Sequence, residues 1–220
     1  MVLPVSPGAR DPRGAEMTGV SRSGRPRESA RQSEILDRAL ELVRESGLAA
    51  LTTKKVAERV GFTEAALYRH FPSKKALVLG LMDRLEQMLV EPIQEIAGDG
   101  SQSVSRRLEA VVRHHTRLVR DQNSLPILLL AQASVSEDPT LLGRMRSIFH
   151  RYLSILEGLV REGQVQGEFR QKPEADCAAL MLLGAPAALA IRHRLLPDAR
   201  VEDRFTGDLI PFLVQSLMTE

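Results

Sequence analysis

The chain has 220 residues, 30 Lys or Arg against 28 Asp or Glu for a net charge of +2, 43% hydrophobic residues and one cysteine. That length leaves room for two small domains with a sizeable core, and the hydrophobic share excludes a chain that is disordered throughout. The lone Cys177 excludes an intrachain disulfide framework and fits a reducing cytoplasm, where it is expected as a buried, small apolar side chain.

Residues 1–28 are rich in Pro, Gly, Ser and Arg without periodicity, which predicts a disordered basic arm. Its apolar runs are too short for a signal peptide, and Met17 offers a second start that retains Arg22, Arg25 and Arg27. Within it, Ser23-Gly-Arg-Pro-Arg27 resembles the core of an AT-hook, a short arm that lies in the minor groove of A·T-rich DNA.

Ser29 and Gln32 have the spacing of a capping box, and Ile35, Leu36, Ala39, Leu40, Leu42 and Val43 repeat at helical spacing up to Gly47. Thr52 then caps a short helix whose Val56, Ala57 and Val60 make one apolar stripe. Gly61 supplies the left-handed turn, and Thr63 caps a two-turn helix that buries Leu67 and Phe71 before Pro72 stops it. Ser73 caps the next helix at once, with Lys74 and Lys75 in its first turn, where cations oppose the helix dipole unless an anion lies nearby. Residues 29–75 therefore predict a helix-turn-helix, and phosphate is the obvious anion. Between Arg22 and Lys75 there are 12 Lys or Arg against 7 Asp or Glu, so this end is basic and the remainder slightly acidic.

Residues 76–220 predict a second, all-α domain. The Ser73-capped helix continues to about Ala97, kinked at Pro92, and joins the two domains. Helices follow over 104–121 and from Pro126 through Gln132. Asp138-Pro139 caps a long amphipathic helix that stops at Gly163, and residues 163–170 form a polar turn. The small apolar helix 176–193 is interrupted by Gly184 and Pro186, its apolar run Ala178 to Ile191 is too short and too broken to span a bilayer, and 205–218 is a last amphipathic helix. The last two can pack against a second copy of the chain or within one chain.

The stretch Leu67-Tyr68-Arg69-His70-Phe71-Pro72-Ser73-Lys74, with the Thr-Thr-x-x-Val-Ala opening and the Gly-Phe-Thr turn, resembles the DNA-binding domain of TetR-type (TetR/AcrR) transcriptional regulators. The resemblance implies that Thr52 or Thr53, Thr63, Tyr68, His70 and Lys74 touch phosphates, with Lys54 beside them, and that Glu64, Ala65, Ala66 and Arg69 face base edges. Glu64 stands where the family often has Lys or Arg, and Ala65 and Ala66 carry no hydrogen-bonding groups, so direct readout looks thin. It also implies a homodimer on a palindromic operator, released by an unidentified small molecule, with no other cofactor. His115, Gln132, Met145, Phe149, Tyr152 and Met181 are candidate pocket residues.

The same reading helix resembles that of nucleoid-occlusion-type factors, which bind DNA and recruit a cell-division partner. An enclosed cavity in the body would favour a sensor, and a filled core with an apolar groove a recruiter. No nucleophile elbow or His-Glu-x-x-His pair is present, and Gly158 to Gly163 lacks the Lys and hydroxyl of a phosphate loop, so neither catalysis nor a metal site is expected.

Overall fold

The computed structural model describes residues 29–196 and 199–219, with the backbone alone over 199–206. The basic arm, its AT-hook-like segment and the second start at Met17 lie outside the described residues. Within them the chain forms α1 (Ala30–Ser46), a short 3-10 turn (Leu48–Ala50), α2 (Thr53–Val60), α3 (Glu64–His70), α4 (Lys74–Gly98), α5 (Val104–Asp121), α6 (Leu125–Ser136), α7 (Pro139–Gln166), α8 (Ala175–Leu195) and α9 (Ala199–Gln215).

The first four helices start where their caps place them. Ser29 and Gln32 close the capping box, with the Ser29 hydroxyl accepting from the Gln32 amide at 3.1 Å and the Gln32 side chain accepting from the Ser29 amide at 3.0 Å. The hydroxyls of Thr52, Thr63 and Ser73 accept from the amides of Lys55, Ala66 and Ala76 at 3.2, 3.2 and 3.0 Å. Gly61 has φ 76° and ψ 30°, a conformation that a Cβ would disfavour, and its amide closes the last turn of α2. Ile35, Ala39, Val43, Val56 and Leu67 are fully buried between α1, α2 and α3.

The long helix α4, 25 residues or about 37 Å, crosses the expected domain border at residue 75 without a break. Its first half lies on the head, where Arg84 donates to the Ser33 hydroxyl at 2.6 Å and pairs with Asp37 at 2.9 Å. Its second half enters the body and packs on α5 and α7. Two further bonds tie head to body. Lys75 meets Asp138 at 2.8 Å and Thr140 at 2.9 Å, and the Asn123 amide donates to the Arg44 carbonyl at 2.8 Å.

Several boundaries differ from the sequence expectation. Helix α6 runs on past Gln132 to Ser136, because the Ser134 and Ser136 hydroxyls donate back to the carbonyls of Leu130 and Ala133 and so sit within a helix. Helix α7 does not stop at Gly163 but continues to Gln166, and Gly167 at φ 78° is the terminator. Gly163 serves close approach: a Cβ there would lie 2.2 Å from the ring of Phe169, which folds back over the helix and is 1% exposed. Gly163→Ala is therefore expected to lower stability by about 1–3 kcal/mol through overpacking, read from the denaturant midpoint, with Phe169→Leu in the same chain restoring part of the loss.

Helix α8 passes through both Gly184 and Pro186. One missing backbone bond is tolerated because Ala178, Ala179, Leu182 and Ala190 are buried against the body. By length and composition α8 is long and apolar enough to cross a membrane, with 21 residues and a window of mean hydropathy 1.5, whereas the sequence suggested too short a run. Helix α9 begins at Ala199 and ends at Gln215, so Met218 lies beyond it in an isolated antiparallel bridge with Phe169. Cys177, expected in the core, is exposed at the start of α8, because the buried positions of that turn are Ala175, Ala178 and Ala179.

Candidate functional site

Helix α3 is held from behind by the fully buried Leu67 and by Phe71 just after it, which leaves Glu64, Ala65, Tyr68 and Arg69 exposed on its outer side. Ala66 and His70 are half-buried. The Thr53 hydroxyl donates to the Glu64 carboxylate at 2.6 Å and lies 3.3 Å from the Tyr68 hydroxyl, so the start of α2 and the outer side of α3 form one polar group. Glu64 is thus occupied partly in positioning Thr53. The His70 ring stacks on Phe62 with centroids 6.3 Å apart, and the Arg31 guanidinium covers Phe62 at 4.3 Å. Thr52 and Thr63 use their hydroxyls as helix caps and remain exposed.

The cations of the head divide into two sets. Arg31, Arg38 and Arg59 pair with Glu34, Glu41 and Glu45, and Lys75 with Asp138. Arg44, Lys54, Lys55, Arg69 and Lys74 are exposed and form no ion pair with a carboxylate among the described residues. Lys55 was absent from the sequence-derived set, although its adjacency to Lys54 in the first turn of α2 is a signal for it. Free cations beside Thr53, Tyr68 and the start of α4 make a face suited to a phosphate backbone.

A cavity of about 440 Å³ opens in the body, within the size range of small-molecule sites. Leu85 and Leu89 of α4, Ile127 and Leu130 of α6, and Leu183 of α8 supply apolar wall. The structure brings His115, Met145, Phe149 and Tyr152 together on this wall, whereas Gln132 and Met181 stand off it. The reason is helical phase. Gln132 and Met181 each lie two residues, about 200° of rotation, from a lining residue of their own helix, Leu130 and Leu183 respectively. Arg146 also lines the cavity and was missed, though Leu142, Met145, Arg146 and Phe149 share one stripe of α7.

His115 and Tyr152 are 4% and 1% exposed and meet through His115 Nδ1 and the Tyr152 hydroxyl at 3.0 Å, ring edge to ring face. Burial pushes the His115 imidazole down to about 3, helped by the His114 charge, and burial pushes the Tyr152 phenol up, so both are neutral at pH 7. An unfolded His titrates near 6.5, so between about pH 6.5 and 3 the unfolded chain holds the extra proton. Stability from this site is present above that window and falls as pH drops through it, by up to about 1.4 kcal/mol per pH unit. His115→Gln is expected to flatten the stability slope between pH 6.5 and 4.5, measured by denaturant titration. Among the described residues no three His, Cys, Asp or Glu side chains are grouped as a metal ion would require.

A helix-turn-helix head with a free cationic face, rigidly continued by α4 into a helical body with a ligand-sized cavity, defines a DNA-binding transcriptional regulator. Residues 35–81 match the profile of bacterial regulatory proteins of the tetR family, and residues 81–188 that of the C-terminal region of YsiA-like proteins. The nucleoid occlusion factor SlmA of Marinomonas sp. (strain MWYL1) is 31% identical over 173 residues, 78% of this chain and 86% of that protein. The chain belongs to the tetR family. Among solved structures, the regulator FadR of Bacillus subtilis in complex with stearoyl-CoA is 20% identical with a TM-score of 0.69, over 84% of this chain and 98% of that one. A transcriptional regulator from Saccharomonospora viridis in complex with choline is 22% identical with a TM-score of 0.76, over 88% and 100%. At these identities the two share the fold alone with this chain, and their ligands differ in charge.

Proposed function

We propose that the protein is a ligand-responsive repressor that binds an inverted-repeat operator as a homodimer and is released when a small molecule enters the body cavity. The observation that carries this reading is that α4 belongs to both sites: it starts at Lys74 beside the DNA-facing group and contributes Leu85 and Leu89 to the cavity wall. A ligand that favours another placement of α4 changes the spacing of the two heads, and only its differential affinity for the two arrangements does work. Leu180, Met181, Ile191, Leu195 and Phe212 leave an exposed apolar face on α8 and α9, which supports a bundle with the same helices of a second copy. This also gives the membrane-like composition of α8 an aqueous explanation, and in this reading the protein works in the cytoplasm, on the nucleoid.

The test is sedimentation of the purified protein, followed by footprinting on a selected operator with and without apolar small molecules. A species of twice the 24.3 kDa chain mass that protects two symmetric half-sites, and is displaced by a cavity ligand, supports the reading. A monomer, or protection that no cavity ligand disturbs, contradicts it.

The likeness to a nucleoid occlusion factor over most of both chains favours a second reading, a DNA-bound protein that recruits a partner. Mapping bound sites along the chromosome separates the two. A few promoter sites support the repressor, and many sites spread through the chromosome support the recruiter.

A further inference from the structure

The polar group on the outer side of the head has a fixed hydrogen count. Thr53 carries one O–H, and the Glu64 carboxylate, which has no hydrogen to give, takes it at 2.6 Å. The Thr53 oxygen also lies 3.3 Å from the Tyr68 hydroxyl, and with its own hydrogen spent it can only accept there, so Tyr68 is the donor. The three side chains form a directed chain, Tyr68 to Thr53 to Glu64, in which both hydroxyl hydrogens are used inside the protein. Neither hydroxyl has one left for a phosphate oxygen, although the resemblance to TetR-type regulators implies phosphate contacts there. The free Lys54, Lys55 and Lys74 are the cations for that task.

What the chain does is hold a carboxylate. Thr53 stands at the first position of α2, and Glu64 and Tyr68 lie one turn apart on α3, so two helices fix the end of the Glu64 side chain. Glu64 is exposed, is the only acidic residue of α3, and forms no ion pair among the described residues in spite of the free cations on the same face. Its Oε1 takes the Thr53 hydrogen, and its Oε2 has no partner among the described residues. A negative group presented to DNA is repelled by the phosphates, and only a hydrogen-bond donor on the bases offsets that cost. In the major groove those donors are the amino groups of cytosine and adenine. Adenine sets its N7 acceptor beside the donor, which opposes an acceptor-only carboxylate, whereas cytosine has no acceptor of its own there.

We propose that Glu64 reads one cytosine in each operator half-site by accepting from its N4 amino group, and that Thr53 and Tyr68 are positioning residues that act through Glu64. The proposal rests on the operator-binding reading and names a base that the operator contains. Base readout by this helix is then concentrated in an acidic side chain held from two sides, while the lysines around it bind the backbone without regard to sequence.

The experiment selects bound sequences from random duplexes with the full chain and its variants, then titrates each enriched duplex at several salt concentrations. The natural chain is expected to enrich an inverted repeat with a cytosine at one fixed position of each half-site, and replacing that C·G pair in one half-site should weaken binding about tenfold. Glu64→Ala should lose the preference at that position and keep it at the others. Glu64→Gln should move the preference to adenine, whose N6 and N7 match the acceptor and donor of a carboxamide. Thr53→Val should reduce the cytosine preference, Tyr68→Phe should reduce it less, and Thr53→Ser, which keeps the hydroxyl, should restore it. The Thr53 and Tyr68 variants should retain the salt slope of the natural chain, which shows a folded head with its phosphate contacts intact. Uniform weakening on all sequences by Thr53→Val and Tyr68→Phe would make the two hydroxyls phosphate contacts and overturn the proposal. An enriched repeat in which no position responds to the Glu64 variants overturns it as well and leaves the operator-binding reading standing. Absence of any enriched sequence overturns both. A repeat that depends on Glu64 and cytosine, yet is released by no cavity ligand, leaves the proposal standing and removes the ligand-responsive part of that reading.

Discussion

Replacing Arg144 by methionine is expected to lower folding stability by about 3 kcal/mol or more. Glu86 of α4 is 2% exposed and pairs with Arg144 and Arg151 of α7, and Arg144 also reaches Asp83 at 2.7 Å. Without Arg144 the buried carboxylate faces Arg151, whose side chain is 37% exposed, and loses the partner that is itself mostly buried. The penalty comes from a desolvated charge that is less well compensated, not from a bond energy. The companion Glu86→Leu/Arg144→Met is therefore expected to recover most of the loss, as apolar replacements of buried ion pairs often do. Denaturant midpoints of the three chains decide the matter. Equal destabilisation by the single and double variants would mean that the side chains act through packing alone. The consequence reaches function, because this charge cluster fixes α4 against α7, and both helices line the cavity.

Lys74→Ala is expected to weaken binding to every duplex alike, by about tenfold near physiological salt. In a dimer it removes two phosphate contacts, so the slope of log K against log salt should fall by about 1.8. Its neighbour provides the control. Lys75 is engaged by Asp138 at 2.8 Å and Thr140 at 2.9 Å and holds the Asp138 carboxyl down to about 2, so Lys75→Ala should leave the salt slope nearly unchanged. Two adjacent lysines with opposite expected outcomes test the assignment of the face more sharply than either alone. Anisotropy titrations between 50 and 200 mM salt read both. A loss from Lys74→Ala confined to one sequence would make it a base contact, and a slope change from Lys75→Ala would mean that its ion pair opens on DNA.

The head was legible almost residue by residue, because local signals set it. Ser29, Thr52, Thr63 and Ser73 cap their helices by bonds three residues away, and Gly61 carries its turn in its own φ. What the sequence could not supply was pairing across elements. That Glu64 is held by Thr53, that Lys75 is spent on Asp138, and that Lys54, Lys55, Arg69 and Lys74 stay free depends on packing between helices. The body misled for the same reason. Gly163 has the residue type of a helix stop, yet it is required by the Phe169 ring folding over α7. Pro186 looks like a break, yet the burial of α8 carries the helix through it. In the cavity, Met145, Phe149 and Tyr152 fell on the wall because they share one face of α7, which His115 meets from α5, while Gln132 and Met181 were chosen by chemistry without regard to phase.

The most direct measurement is selection of bound sequences from random duplex DNA by the purified protein at near-physiological salt. Enrichment of an inverted repeat, with half-sites about one helical turn or somewhat more apart, is the expected result for a dimer that presents two such heads. Salt-sensitive binding with no enriched sequence would contradict a sequence-specific regulator, leaving a head that holds the DNA backbone alone.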